Sequence, residues 1–425
     1  MRVCFVSRRF FPAISGMSVY ALNLVRQLVA DGHDVVMVSQ YRGDPVGVGV
    51  YGGGPPPEVP GVTTIGLESF GEQRTTEDPP RPADFESDID AMVDAICRQH
   101  AAAPLDLIHA QYAYPTGLAA MEASRRLGVP NLVSIQGGDG HWVGLCCETH
   151  RDAMAAVLGH AGDLLIGSRS FAEEVHGHHG TPVDRFTIVP GATDMTRFKP
   201  ASDKSIGALS DPPVFIYHGR VDRRKGTFEL VDAMARVHQQ VPAARLIISG
   251  IGPDVESTAD RIRDRGLQDV VSMTGYAEYD DAPGVYHRGD VFVSPTYSEG
   301  FSNTILEAMA SGLPVVSTDT VGVVDCLTDD VNGLLVPIES VEPLAQAMLR
   351  MLRDDDLRTR LARQGYDDVK TKYDWPVVGG QIIDRYRHQI GRPVDTDWTR
   401  HYDVSRRSGD NADMSCRFRE APHLL

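Results

Sequence analysis

Short apolar runs alternate with amphipathic stretches along most of the chain. Residues 2–7 (RVCFVS) predict a strand, and residues 18–30 follow with apolar side chains at helical spacing. Gly32 ends this helix, because glycine is favoured just past a helix C-terminus, and residues 34–39 predict the next strand. The same pattern predicts further strands at residues 105–110, 131–135, 163–167 and 186–190. Strand–helix–strand order of this kind is typical of parallel sheets with right-handed crossovers.

A second series with the same rhythm begins at residue 213. It predicts strands at residues 213–218, 244–249, 270–274, 291–294 and 314–317, and helices at residues 228–237 and 303–310. A chain of 425 residues is also too long for one ordinary domain. We therefore predict two doubly wound α/β domains, at residues 1–198 and 213–373, joined by a polar linker at residues 199–212.

Three segments interrupt the alternation. Residues 41–61 are dense in glycine and proline, and residues 71–86 are polar with three prolines. Loops of this length are functional lids or disordered segments. Residues 391–425 are polar and weakly periodic, which predicts a tail that is disordered or loosely docked.

Charge and cysteine usage narrow the range of partners. The formal net charge is −17, which argues against a nucleic acid because phosphate backbones require lysine and arginine. No apolar run reaches 18 residues, so no membrane span is predicted, while a peripheral membrane contact stays open. The N-terminus predicts a strand and not a signal peptide, and the six cysteines form no CxxC pair. Reduced thiols in a cytoplasmic protein are therefore expected.

The first chemical signal is the basic stretch GRVDRRKG, which lies between a predicted strand and an amphipathic helix. Gly219 lets the chain turn off the strand, and Gly226 lies where the backbone must approach another group closely. Arg220 can grip a diphosphate with two parallel donors, and Lys225 adds a point charge. Positive charge there would stabilise a leaving diphosphate. By itself the stretch could equally be a solvated basic loop.

The second signal is SEGFSNTILE, in which Glu299 and Glu307 stand eight positions apart across a loop-to-helix junction. Eight helical residues span about 12 Å, whereas the carboxyl pair of a retaining glycosidase lies about 5 Å apart. We therefore assign the two carboxylates to different parts of one extended ligand, Glu299 to a sugar and Glu307 to ribose hydroxyls. Backbone N–H groups near residues 302–304 would face phosphates. The predicted donor contacts between the glutamates are Gly300, Phe301, Ser302, Asn303 and Thr304.

These two motifs together resemble those of the retaining glycosyltransferases of family four, which have the GT-B fold. Upstream, FFPAISGMS is similar to the family's glycine loop and contains Gly16, and VPGATDMTRFKP is similar to its interdomain signature. Downstream the likeness continues through GLLVP and YDWPVV. It implies two facing Rossmann-like domains, with a C-terminal helix at residues 374–390 that crosses back to the first domain.

The resemblance also implies an activity and a set of roles. The N-terminal domain would bind a hydroxyl-bearing acceptor, namely a sugar, a lipid-linked sugar or a small molecule. The C-terminal domain would bind a nucleotide-diphosphate sugar, with UDP- or GDP-sugars expected. Arg220 and Lys225 would act at the diphosphate, Glu299 at the transferred hexose-type sugar and Glu307 at the ribose. The transfer would retain the anomeric configuration and would require neither a metal ion nor a further cofactor.

Weaker signals concern the edges of this site. Gly250 belongs to SGIGPD, which lacks the third glycine of a dinucleotide fingerprint and favours a turn near the donor's base. On the acceptor side we place His109, Gln136 and Asp139, with a structural role for His109 equally open. Gln136 stands where many family members have histidine, and it can hydrogen-bond a hydroxyl but cannot carry a proton. The histidines at 176, 178 and 179 lack convincing metal-ligand spacing and predict a solvated helix end.

Two other functions are compatible with these patterns. One is another GT-B enzyme, such as a nucleotide-sugar epimerase. The other is a bilobal sugar-binding protein without catalysis. The paired cations Arg220 and Lys225 have no purpose for a neutral sugar, and they favour transfer from a nucleotide sugar.

Overall fold

The computed structural model describes residues 1–45, 48, 52–71, 85–145 and 147–400, which form two compact units. The first unit combines Met1–Val189 with the chain from Gly379 onward, and the second is Pro190–Val378. The predicted linker lies within the second unit. There the Gly207 N–H donates to the carbonyl of Gly312 at 3.1 Å.

The described part of the first unit is built on seven parallel strands. They are β1 (Arg2–Ser7), β2 (Asp34–Tyr41), β3 (Val62–Glu68), β4 (Leu107–Gln111), β5 (Asn131–Ile135), β6 (Leu164–Ile166) and β7 (Phe186–Ile188). Their spatial order is β3-β2-β1-β4-β5-β6-β7, so the order reverses between β1 and β4. The helices are α1 (Gly16–Ala30), α2 (Phe85–Ala102), α3 (Leu118–Leu127), α4 (Gly138–His141), α5 (Glu148–His160) and α6 (Arg169–His179).

The second unit repeats this plan with six parallel strands among the described residues. They are β8 (Val214–His218), β9 (Arg245–Ser249), β10 (Val271–Gly275), β11 (Val291–Ser294), β12 (Val315–Thr318) and β13 (Leu334–Val336). The order β10-β9-β8-β11-β12-β13 reverses between β8 and β11. Its helices are α7 (Thr227–Gln240), α8 (Val255–Asp264), α9 (Ala282–His287), α10 (Asn303–Ala310), α11 (Val341–Arg353) and α12 (Asp355–Asp368). Helix α13 (Trp375–Gln389) begins in this unit and continues into the first.

Most of the inner strands are continuous apolar runs, because both of their faces are covered. Along β8, Phe215 and Tyr217 join one buried cluster, and Ile216 joins the other. Successive strand side chains point to opposite faces, and a sheet with helices on both faces buries both sets. The carboxyl ends of the strands remain for loops, and open α/β sheets bind ligands where the strand order reverses.

The fold class predicted from the sequence is confirmed, and the predicted strands and helices coincide with observed ones to within a few residues at each end. Strands β3 and β13 were not predicted. In β3, exposed positions alternate with half-buried ones, so it has no continuous apolar run. The two predicted loops at residues 41–61 and 71–86 fall partly outside the described residues.

The start of the C-terminal extension is ordered on the first unit. The Asp395 carboxylate is 3.0 Å from Nδ1 of His160, and Trp398 is buried with the Arg125 guanidinium 5.2 Å from its ring centroid. Arg400 forms an ion pair with Glu86 at 2.9 Å. Of the two alternatives predicted for this segment, residues 391–400 match the docked one, because an aromatic anchor and ion pairs hold them. Residues 401–425 lie outside the described residues.

We expect Trp398→Ala to destabilise the first unit. Truncating a buried tryptophan costs about 3 kcal/mol, which for a unit of this size lowers the melting temperature by roughly 6–12 °C. Thermal unfolding followed by circular dichroism measures this shift. Ile338→Ala, at an exposed position in the second unit, is the matched control and should change the melting temperature by about 1 °C or less. Equal effects of the two substitutions would show that the extension contributes no packing energy.

Candidate active site

The basic loop GRVDRRKG follows β8 at the point where the strand order of the second unit reverses. Its start lies against the loop that follows β9. The Gly219 N–H donates to the Ser249 carbonyl at 3.0 Å, and the Val221 N–H donates to the Ile251 carbonyl at 2.9 Å. A Cβ on Gly250 would lie 1.7 Å from the Gly219 carbonyl oxygen. The close approach of the two backbones therefore requires a glycine at position 250, independently of any contact with a ligand.

Two neighbours hold Arg220. The Tyr217 hydroxyl donates to the Arg220 carbonyl at 2.6 Å, and Nε of Arg220 lies 3.3 Å from Oδ2 of Asp222. Asp222 is buried and also accepts from the Arg224 backbone N–H at 2.9 Å. Burial raises the pKa of Asp222, but hydrogen bonds from Arg224 and the charge of Arg220 outweigh it and hold the pKa at about 2. A permanently ionised carboxylate thus fixes the base of the loop.

Lys225 ends a single 3-10 turn, Arg223–Lys225, and its ammonium group donates to Oε1 of Glu299 at 2.7 Å. Gly226 follows with φ 70°, and a Cβ there would lie 1.9 Å from the Pro295 carbonyl oxygen. The loop after β8 is therefore pressed against the chain leaving β11. This contact brings the two sequence motifs together, since Glu299 lies in the second motif.

The second motif passes from a loop into α10. Ser302 is the N-cap residue of this helix, and within the described residues its side chain makes no capping hydrogen bond. Amide groups of the first turn are thus left for another acceptor. Gly191 packs beside this turn, where a Cβ would lie 2.4 Å from Oδ1 of Asn303 and 2.6 Å from the Phe301 ring. The segment VPGATD, which contains Gly191, therefore packs against the start of α10 in the second motif.

Glu307 lies in α10 with 9% of its surface exposed. The Tyr286 hydroxyl donates to Oε2 of Glu307 at 2.5 Å. Burial raises the pKa of Glu307 to about 7, against opposing effects of the Tyr286 hydrogen bond and the Arg197 charge. A carboxylate so poorly solvated destabilises the protein once it ionises. Carboxylates with a pKa shifted in this way are common at functional sites.

The acceptor-side residues predicted in the first unit, His109, Gln136 and Asp139, differ from one another in their environments. His109 is fully buried, with Nδ1 2.6 Å from the Tyr386 hydroxyl and Nε2 2.7 Å from that of Ser134. Burial lowers its pKa to about 3. Both nitrogens are therefore engaged inside the core, which favours the structural alternative for His109. An acceptor-side role for it stays a prediction.

Gln136 lies in the loop after β5, and Asp139 lies in the short helix α4 that follows this loop. Both the Gln136 and the Gly137 backbone N–H groups donate to Oδ1 of Asp139, at 3.0 and 2.9 Å. Asp139 is fully buried and shapes the backbone of this loop, and an acceptor-side role for it stays a prediction. The Gln136 side chain is half-buried and accepts from Gln111 at 2.8 Å. Gly16 begins α1, and a Cβ there would meet nothing within 4 Å.

Two side chains important to the site were not identified from the sequence. Asp222 stands inside the basic motif, and its position among three arginines was a signal that an acceptor of hydrogen bonds was needed there. Tyr286 lies 21 residues before Glu307 and has no local signal.

Neither a metal centre nor a membrane span is found in the described part of the chain. No group of three or more His, Cys, Asp and Glu side chains among these residues could hold a metal ion, including those around His176, His178 and His179. Among the described helices, none combines the length and apolar character that crossing a membrane requires.

Two family models match the chain. Residues 15–192 match the glycosyl transferase 4-like domain, and residues 198–368 match glycosyl transferases group 1. Together they cover most of the sequence and both compact units. The chain belongs to the group 1 glycosyltransferases, family four, and has the GT-B fold.

Individual relatives are distant. The alpha-D-kanosaminyltransferase of Streptomyces kanamyceticus is 31% identical over 43% of this chain and 47% of its own length. The alignments with curated relatives of this kind span about half of those proteins. Sucrose-phosphate synthase from Thermosynechococcus elongatus superimposes with a TM-score of 0.74 at 24% identity, over 91% of this chain and 98% of that one. Anabaena HepE in complex with UDP and glucose gives 0.71 at 16% identity, over 91% and 99%.

We expect Glu307→Gln to stabilise the protein in a pH-dependent way. The folded pKa of about 7 lies above the ordinary value of 4.5, so the contribution of Glu307 to stability is fully present below pH 4.5 and is lost as pH rises through 7. Glutamine cannot ionise. Its melting temperature should exceed that of wild type by about 5 °C or more at pH 8, and by less at pH 5.

Differential scanning calorimetry at the two pH values measures this difference. Glu256→Gln, at an exposed position in α8, is the control and should show no such pH dependence. A Glu307→Gln gain that is the same at pH 5 and pH 8 would contradict the buried ionisation.

Proposed function

We propose that this chain is a retaining glycosyltransferase that moves a hexose-type sugar from a nucleotide-diphosphate sugar to an acceptor hydroxyl. The observation that carries the proposal is the ion pair of Lys225 with Glu299, which joins the loop after β8 to the chain leaving β11. The same loop carries Arg220, paired with Asp222, and both segments follow the carboxyl ends of their strands. This is the strand reversal at which doubly wound sheets bind nucleotides. The family membership and the UDP bound in Anabaena HepE support the same assignment.

The two cations would act on the leaving group. When the sugar–oxygen bond breaks, negative charge develops on the departing diphosphate, and fixed positive groups stabilise that charge. Arg220 is already oriented by Asp222, and Lys225 by Glu299. The amide groups at the start of α10 add partial positive charge. These groups supply charge that a bridging metal ion provides in other enzymes, so we propose transfer without a metal.

Retention would follow from the same arrangement. The acceptor hydroxyl approaches on the face from which the diphosphate leaves, and its proton passes to the departing phosphate oxygen. The new sugar–oxygen bond forms as the old one breaks, and no protein base is needed. Glu299 would contact the transferred sugar and Glu307 the ribose hydroxyls of the donor.

The second unit is proposed to bind the donor and the first unit the acceptor. Gln136 is the acceptor contact that we retain, because its amide is half-buried at the carboxyl edge of the first sheet. The acceptor is a hydroxyl-bearing sugar, lipid-linked sugar or small molecule. A cytoplasmic location stays a prediction from cysteine usage.

A direct test of donor binding is a thermal-shift screen with UDP, GDP and their glucose and mannose conjugates. A ligand that binds only the folded protein at a hundredfold excess over Kd stabilises it by about 2.7 kcal/mol. At least one nucleotide should therefore raise the melting temperature by several degrees. The absence of any shift with all of these compounds at millimolar concentration would contradict the proposal.

The role of Lys225 is tested by Lys225→Ala. Removing one preorganised charge at the leaving group should lower kcat by about 10²–10³-fold. Turnover is measured as release of nucleoside diphosphate from the donor identified in the screen. Lys370→Ala removes the same charge from an exposed position and should leave kcat within about twofold of wild type. Wild-type turnover in Lys225→Ala would remove this lysine from the mechanism.

Product analysis separates transfer from the competing activities. Mass spectrometry should find the sugar joined to an acceptor or, without acceptor, to water. An epimerase would instead return an isomeric nucleotide sugar, and a non-catalytic binding protein would return the donor unchanged.

A further inference from the structure

Tyr286 and Glu307 form a buried hydrogen-bonded pair beside the second motif. Tyr286 is fully buried in the short helix α9, and its hydroxyl donates to Oε2 of Glu307 at 2.5 Å. The two residues are 21 positions apart, and no sequence motif includes the tyrosine. Its presence there requires an explanation beyond helix packing, because a phenylalanine would fill the same apolar space.

The tyrosine ring is held on several sides. The Phe198 and Phe292 ring centroids each lie 5.7 Å from it, and that of His218 lies at 5.4 Å. A ring packed in this way keeps one rotamer, so its hydroxyl has a fixed position. In a buried setting, a hydrogen bond from a fixed donor to a carboxylate is stronger than one in water.

The bond leaves Glu307 with one engaged and one available oxygen. Within the described residues, Oε2 accepts from Tyr286, while no described side chain or backbone N–H donates to Oε1. A carboxylate anchored through one oxygen cannot rotate freely, so the direction of its second oxygen is set. Vicinal ribose hydroxyls are donors that such an oxygen can accept from.

We propose that Tyr286 is a positioning residue that fixes the Glu307 carboxylate so that Oε1 accepts hydrogen bonds from the ribose hydroxyls of the donor. The inference rests on the proposed function, since it concerns the nucleotide of the same donor. It adds a residue outside both motifs that determines preference for ribose over deoxyribose. Tyr286 itself touches no substrate.

The test compares Tyr286→Phe with wild type by calorimetric titration. The probes are UDP, GDP, their 2′-deoxy counterparts and inorganic pyrophosphate. In wild type, the ribonucleotide that binds should do so about tenfold or more tightly than its 2′-deoxy form, because a hydrogen bond to a charged group is lost. In Tyr286→Phe, we expect this ratio to fall to about threefold or less, with pyrophosphate affinity within about twofold of wild type.

Tyr373→Phe is the matched control. Tyr373 packs in the same apolar cluster, and its hydroxyl donates to the Asp325 carbonyl at 3.3 Å. The Tyr373→Phe substitution removes a buried tyrosine hydroxyl that does not contact Glu307, so the ribose preference should remain that of wild type. Melting temperatures of both variants show that they fold.

The outcomes separate the positioning role of Tyr286 from the proposed function. Wild-type ribose preference in Tyr286→Phe would overturn the positioning role and leave the proposed function standing. An equal loss of affinity for ribonucleotide, deoxynucleotide and pyrophosphate would also overturn it, since general damage to the unit does not single out the ribose. Failure of wild type to bind UDP, GDP or pyrophosphate would overturn the proposed function and this inference together.

Discussion

The close approach of two loops at the carboxyl edge of the second sheet is the constraint on which the site depends. Gly226 lies so near Pro295 that any side chain would overlap its carbonyl. Only because the chain leaving β8 is pressed against the chain leaving β11 can Lys225 reach Glu299. A similar backbone contact between Gly250 and Gly219 fixes the other side of the loop. The glycines thus place the charges, although they carry none.

Carboxylates orient the cations at this edge. The chain as a whole is strongly acidic, yet three arginines and a lysine lie in the six-residue stretch 220–225 of this loop. Such a concentration of like charge would be unstable and mobile if it were unpaired. Asp222 and Glu299 reduce the repulsion and restrict the side chains, so the diphosphate of the proposed donor would meet groups that are already oriented. Preorganisation of this kind reduces the reorganisation required during the reaction.

Glu307 differs from these paired groups, because its burial lowers the stability of the folded protein when the carboxylate ionises. An ionised carboxylate in an apolar helix face is poorly solvated, and the single bond from Tyr286 compensates only in part. His109 in the first unit is buried as deeply but remains neutral, and both its nitrogens are satisfied. The contrast separates a buried polar group that stabilises its unit from one that is kept at a cost.

The sequence by itself determined the two α/β units, most strand positions and the two motifs of the second unit. These properties depend on local periodicity, on glycine at turns and on charges close together in the chain. The tertiary structure decided that Lys225 meets Glu299 across 74 positions and that His109 meets Tyr386 across 277. It also revealed that Tyr286 lies on Glu307 and that the extension docks through Trp398. The packing of helices and strands determines such pairs. A sequence pattern does not contain the spatial distance between residues that are far apart in the chain.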